Sequence, residues 1–135
     1  MRVVFDSNVI IAAFASRGLC NALLETSIGN HEIILCEEIL QEVSLKLNQK
    51  IYLPDKIIKQ IVSFLRAYSS CVIPQRVDRS VCRDARDLMV LGSAIAGKAK
   101  YIITGDKDLL TIGKFKDITI IDPRVFWNKL KKEKS

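Results

Sequence analysis

The sequence predicts an α/β fold built on a parallel sheet, and three observations predict it. Short apolar runs alternate with longer stretches whose apolar positions recur at helical spacing. Runs such as Val3-Val4-Phe5 and Ile102-Ile103 are continuously apolar, as strands covered on both faces are. Helical stretches separate most of the runs, the pattern of right-handed strand–helix–strand crossovers.

Arg2-Val3-Val4-Phe5-Asp6 reads as the first strand, ending in an acid. A short helix follows over residues 9–14, with Ser7 or Asn8 as its cap. Residues 19–28 carry Leu19, Ala22, Leu23 and Leu24 on one helical face, stopped by Gly29-Asn30. Glu32-Ile33-Ile34-Leu35-Cys36 is the second strand, and residues 37–47 form a helix through Ile39, Leu40, Val43 and Leu47. Pro54-Asp55 opens another helix, with Ile57, Ile58, Ile61, Val62, Leu65 and Tyr68 on one face, followed by a strand over residues 71–74 closed by Pro74. Residues 83–99 form a helix with Leu88, Leu91, Ala94 and Ile95 inward and Gly97 near its end. Residues 100–104 make a strand that runs into a polar turn, Gly105-Asp106-Lys107-Asp108. The last strand spans 117–122, and Pro123 opens a terminal helix to about residue 132.

With 135 residues, 49% of them hydrophobic, the chain suits one domain, 1–135, whose Lys-rich end over 129–135 reads as a frayed solvated tail. No stretch reaches the roughly 18 uninterrupted apolar residues of a membrane span, and residues 9–15 are too short a run for a signal peptide. Cys20, Cys36, Cys71 and Cys82 form no CxxC element and have no histidines to complete a zinc site. They read as buried free thiols, and a reducing cytoplasm is the expected compartment. The net charge of +6 favours a polyanionic partner such as nucleic acid.

A single histidine, His31, prunes the chemistry. Two-histidine acid–base catalysis is impossible, a Ser-His-Asp triad would need His31 itself, and its setting in Gly29-Asn30-His31-Glu32 suits a solvated turn. Any enzyme here runs on carboxylates, a metal or thiols.

The acids are placed suggestively. In an open parallel sheet, ligands bind at the carboxyl ends of the strands. Asp6 ends the first strand, and Asp106 lies two residues beyond Ile102-Ile103-Thr104; Glu42 and Asp87 lie near the starts of helices that can begin at the same rim. Converging carboxylates repel and are pushed toward protonation unless a cation joins them. With no histidine or thiolate beside them, an all-oxygen site for Mg²⁺ or Mn²⁺ is the natural reading. Such an ion lowers the pKa of water and neutralises charge on a phosphodiester under in-line attack. Each position has a plainer reading: Asp6 as a helix cap, Glu42 as a solvated glutamate, Asp84 and Asp87 as macrodipole acids, Asp106 and Asp108 as turn formers. The joint pattern carries the chemistry.

Val3-Val4-Phe5-Asp6-Ser7-Asn8-Val9-Ile10 resembles the opening of the PIN-domain nucleases, and Cys36-Glu37-Glu38-Ile39-Leu40-Gln41-Glu42-Val43 resembles their second motif, with the functional acid at Glu42. Arg83-Asp84-Ala85-Arg86-Asp87 resembles the third motif and Thr104-Gly105-Asp106-Lys107-Asp108 the fourth. The resemblance spans residues 2–126, with all four motifs in order, and is strongest to small stand-alone prokaryotic VapC-like toxins of toxin–antitoxin pairs. Cys36, Ala85 and Leu88 depart from residues common in the family, and the four acids remain.

The resemblance implies a three-layer α/β/α domain with a mostly parallel central sheet. It also implies a metal-dependent endoribonuclease acting on RNA, an antitoxin partner that blocks the site, and a homodimer. Asp6, Asp87 and Asp106 would hold one or two ions, Mg²⁺ or Mn²⁺. Glu42 would bind a metal-held water or help deprotonate it, Asp84 would complete the second site, and Asp108 is the alternative to Asp106 in the fourth motif. Asn8, Thr104 and Ser7 are expected to orient the carboxylates, and Arg17, Arg83, Arg86 and Lys107 are candidate RNA contacts. The main rival is an inactive PIN-like module that binds RNA or protein without cutting. A phosphatase using Asp6 as acceptor is disfavoured by Asn8, where a second acid is usual. A nucleotide-binding domain is disfavoured by the lack of GxGxxG and GxxxxGK[ST].

Overall fold

The computed structural model describes residues 1–133. In chain order the elements are β1 (Arg2–Phe5), α1 (Ser7–Ala15), α2 (Leu19–Ser27), β2 (Glu32–Leu35), α3 (Glu37–Gln49), α4 (Asp55–Ala67) and β3 (Ser69–Cys71). There follow α5 (Ala85–Ala96), β4 (Tyr101–Ile103), α6 (Lys107–Ile112), β5 (Lys114–Phe115), β6 (Ile118–Ile121) and α7 (Pro123–Glu133). The sheet order is β3-β2-β1-β4-β6-β5. Every pairing is parallel except β5 with β6. The result is a mostly parallel sheet between helical layers, a three-layer α/β/α arrangement.

Strand order reverses at β1. From β1 the chain steps outward to β2 and β3, then returns through α5 to β4 on the other side. Right-handed crossovers in opposite directions place their helices on opposite faces of the sheet. In accord, α5 packs against β1, β2 and β4, while α1 touches α2 and α3, and α3 touches α4. The carboxyl ends of β1 and β4 therefore flank the topological switch point, where ligands of open sheets bind.

The central strands are apolar because both faces are covered. Val3, Val4, Phe5, Ile33, Ile34, Leu35, Ile102 and Ile103 are buried. Phe126 of α7 meets Phe5 edge-on, ring centroids 6.3 Å apart, and Tyr101 at 6.0 Å. Helix α5 comes unusually close to the loop that precedes it. A Cβ on Gly92 would lie 2.1 Å from the backbone oxygen of Gln75, and the Gly92 carbonyl accepts a bond from the Gln75 amide at 3.0 Å. Gly92→Ala is therefore expected to destabilise the protein by about 1–3 kcal/mol, because backbone rather than a yielding side chain must move. A thermal melt equal to wild type would contradict this packing.

The structure corrects several local expectations. Helix α1 begins at Ser7 and is capped by Asp6, whose Oδ1 accepts the Ser7 amide at 2.8 Å, rather than by Ser7 or Asn8. The strand expected at 71–74 lies at Ser69–Cys71, and Ile73 beyond it is 90% exposed. Within α4 only Ile58 and Leu65 are buried, while Ile57 and Tyr68 of its apolar face are exposed. The polar turn at 105–108 opens a six-residue helix, α6, and the short strand β5 follows it. Both are too brief to show a period. The end expected to fray is helical through Glu133, with Leu130 buried; residues 134 and 135 lie outside the described residues. His31 is half-buried, 6.4 Å from the Phe126 ring, with its Nδ1 3.2 Å from the amino terminus, so it is not a solvated turn residue. The four thiols are free, but only Cys36 is buried and Cys71 is exposed. No single helix is long and apolar enough to cross a membrane.

Candidate active site

Asp6 follows β1 directly and is held from every side. Its backbone amide donates to the Ile103 carbonyl of the neighbouring strand at 3.0 Å. Beyond the α1 cap, its Oδ2 accepts the Thr104 hydroxyl at 2.7 Å and the Asn8 amide nitrogen at 3.1 Å. Thr104 and Asn8 each face two ways. The Thr104 oxygen accepts the Asp106 amide at 3.0 Å, and the Asn8 Oδ1 accepts the Gly105 amide at 3.2 Å. Thus the turn after β1 and the loop after β4 are stitched together across the switch point. Ser7 contributes through its backbone amide.

The plain capping readings of the acids hold alongside their convergence. Asp6, Asp84 and Asp106 are the caps of α1, α5 and α6, each accepting a backbone amide just inside its helix. Three helix N-termini therefore direct their positive ends toward one acidic cluster, which favours negative charge there. Asp87 sits in the first turn of α5 and is buried. Facing oxygens of Asp87, Asp106 and Asp108 lie within 4.8 Å of one another.

Asp6, Glu42, Asp84, Asp87 and Asp106 line a single cleft of about 530 Å³, together with Ser7 and Asn8. Asp108 stands at the edge of the cluster, against Asp87 and Asp106. All four acids expected from the sequence are thus brought together, with Asp84 beside them. Burial raises the pKa of Asp6, against the bonds from Thr104 and Ser7 that lower it; Glu42 and Asp106 add repulsion. Asp87 is pushed up to about 7, first by burial, then by its carboxyl contact with Asp106 and the charges of Asp106, Asp84 and Asp6.

The buried Oδ2 of Asp87 has no hydrogen-bond partner among the described residues. A buried unpaired carboxyl oxygen costs about 1–3 kcal/mol or more, and either a proton or a cation relieves that cost. The donors around it are all carboxylate oxygens, the set that hard divalent ions prefer. The residues therefore fit a Mg²⁺ or Mn²⁺ ion.

The expected RNA contacts fare differently. Arg86 borders the cleft but is engaged with the acids, 3.0 Å from Asp84 and 3.4 Å from Glu42. Such exposed pairs are individually weak. Arg17, Arg83 and Lys107 are exposed and do not line the cleft. Two lysines absent from the sequence-based candidates do line it: Lys46 and Lys50 of α3 and its C-terminal cap. Their signal was available, since Glu42, Lys46 and Lys50 follow one another at four-residue steps and so share a helix face.

The family model for the PIN domain matches residues 2–108. The chain belongs to the PIN domain family. PIN domains are generally nucleases and typically use divalent metals, which agrees with the oxygen-rich cluster. No curated protein matches the chain significantly. Among solved structures, the PIN fold is similar to a chain in the crystal structure of VapBC2 from Rickettsia felis bound to a DNA fragment from their promoter. The TM-score is 0.64 at 12% identity, covering 90% of this chain and 98% of that one. At that identity the likeness is one of fold.

Proposed function

We infer that this PIN domain is a metal-dependent endoribonuclease that hydrolyses phosphodiester bonds, and that it is the toxin of a toxin–antitoxin pair. The observation that carries the nuclease reading is the buried Asp87 carboxyl at the switch point, grouped with Asp106 and Asp108 and with its Oδ2 lacking a hydrogen-bond partner among the described residues. Asp6, Asp87 and Asp106 would hold Mg²⁺ or Mn²⁺, with Glu42 lining the same cleft and Asp84 or Asp108 completing the set. When bound, the ion supplies Lewis acidity, acidifying water and offsetting charge on the phosphodiester.

The chain's own residues do the rest. Thr104 and Asn8 hold the Asp6 carboxylate in one orientation, so little reorganisation is needed as charge develops. Glu42, which lines the same cleft, would accept a proton from an attacking water. The net charge of +6 favours a polyanionic substrate outside the acidic floor.

The toxin reading is supported by the sequence resemblance to VapC-like chains and by the fold shared with a VapBC2 chain. By that analogy we place an antitoxin protein over the site, a homodimer as the working form, and the cytoplasm as the compartment.

Purified protein should cut single-stranded RNA with Mg²⁺ or Mn²⁺ and leave it intact in EDTA. A water nucleophile predicts 5′-phosphate and 3′-hydroxyl ends. Cyclic 2′,3′-phosphate ends, or equal cutting in EDTA, would overturn this chemistry. No cleavage under either metal by folded protein would leave the binding-module alternative.

A further inference from the structure

We propose that Lys46 and Lys50 form a phosphate track that seats the RNA backbone beside the acidic floor, as positioning residues that add affinity without reading bases. The proposal rests on the nuclease reading above and assigns the substrate path within the same cleft.

Glu42, Lys46 and Lys50 form one stripe along the cleft wall, at about 6 Å and about 12 Å of helix axis from Glu42 to the two lysines. The two lysines are thus about 6 Å apart along the axis, nearly twice the roughly 3.4 Å of axis per phosphate in a stacked strand, a spacing that neighbouring phosphates of a more extended strand span. One end of the stripe is acidic, where cleavage is assigned, and the other is cationic. The acidic floor repels a polyanion entering the cleft, so fixed positive charge beside the floor is what retains it, with or without an ion.

Neither lysine makes an ion pair among the described residues, whereas Arg86, the other cation in the cleft, is engaged with Asp84 and Glu42. Lys46 also lines a smaller hollow of about 300 Å³ between α3 and α5, so it borders two hollows.

The rest of the same cleft lining explains why the track favours backbone over base edges. Ile11, Ala12 and Ala15 of α1, with Ile51 after α3, contribute apolar surface. Such side chains accept a base or ribose face by contact but offer no donors or acceptors to a base edge. Phosphates on the lysines and sugars or bases on the apolar side describe a single strand lying along the cleft.

The test compares wild type, the Lys46→Ala/Lys50→Ala pair, the Lys46→Arg/Lys50→Arg pair and a charge-matched control, Lys56→Ala/Lys59→Ala, on the exposed side of α4. Two short single-stranded RNAs, one uridine-rich and one adenosine-rich, serve as probes. Equilibrium binding is measured in EDTA, and cleavage with Mn²⁺, across a range of salt. For the alanine pair we expect Kd and KM to rise about tenfold with kcat within about twofold. The slope of log affinity against log salt should shrink by about 1.4, at about 0.7 per phosphate contact on a single strand. The loss should be the same for both RNAs, and the arginine pair should retain most of the affinity.

If the alanine pair keeps the wild-type Kd and salt slope while wild type binds and cuts, the track is wrong and the nuclease reading stands. The track is equally wrong if the control pair loses as much, or if the loss falls on kcat alone. If wild type neither binds nor cuts either RNA, both readings fall.

Discussion

Asp87→Asn lowers metal-dependent RNA cleavage by more than about 100-fold and makes the metal-free protein more stable at pH 8; both outcomes are expected from one geometry. Losing a group that merely orients a metal ligand costs about 10–100-fold, so losing a direct donor costs more. The stability gain has a separate origin. Asp87 titrates near pH 7 in the fold because it is buried against Asp106, with Asp84 and Asp6 nearby. In the unfolded chain it titrates at its ordinary value of 3.8. A carboxyl raised in this way contributes its full stability below about pH 4 and loses it as pH climbs through about 7. Wild-type metal-free protein should therefore weaken between pH 4 and 7, while Asp87→Asn should weaken much less over that window. Asp87→Asn should thus melt above wild type at pH 8 in EDTA, with the gap narrowing toward pH 5. Melting curves in EDTA at pH 5 and pH 8 check the sign. A variant less stable than wild type at pH 8 would contradict the buried, repelled carboxylate.

The second large effect is expected at a residue that bears no charge. Thr104 is fully buried, and its hydroxyl both donates to Asp6 and accepts the Asp106 amide. Thr104→Val keeps the shape and removes both bonds. The Asp6 carboxylate then loses the strongest influence holding its pKa down against burial, so a proton competes better with the ion at neutral pH. Metal affinity and cleavage should fall about 10–100-fold, while Thr104→Ser, which retains the hydroxyl, should stay near wild type. Cleavage by the valine variant at the wild-type rate would show that Asp6 is oriented by something else.

How much of this was legible in the sequence depends on the length scale of the signal. The strands at 2–5, 32–35, 101–103 and 118–121 were legible because burial on both faces makes their runs apolar apart from Arg2, Glu32 and Thr119. The carboxylates were legible because Asp6 and Asp106 sit just beyond neighbouring strands at the sheet's switch point. Helix α6 and strand β5 were not, since six and two residues cannot display a period. The Asp87–Asp106–Asp108 grouping was only half legible: the sequence showed acids near helix starts but not that capping of α6 turns Asp108 toward Asp87. Local sequence also offers no view of tertiary pairing. Arg86, a candidate RNA contact in the sequence, is engaged by Asp84 and Glu42 in the fold, and Lys46 and Lys50, not among those candidates, line the cleft beside residues of α1 that are distant in sequence.

A Mn²⁺ titration of metal-free wild type, Asp6→Asn and Asp87→Asn, followed by paramagnetic relaxation of water protons at pH 8, tests most directly whether these carboxylates form a metal centre. Saturable binding in wild type, weakened more than about tenfold in both variants, is the predicted result. Equal Mn²⁺ affinity in all three proteins would contradict the site and, with it, the nuclease chemistry built on it.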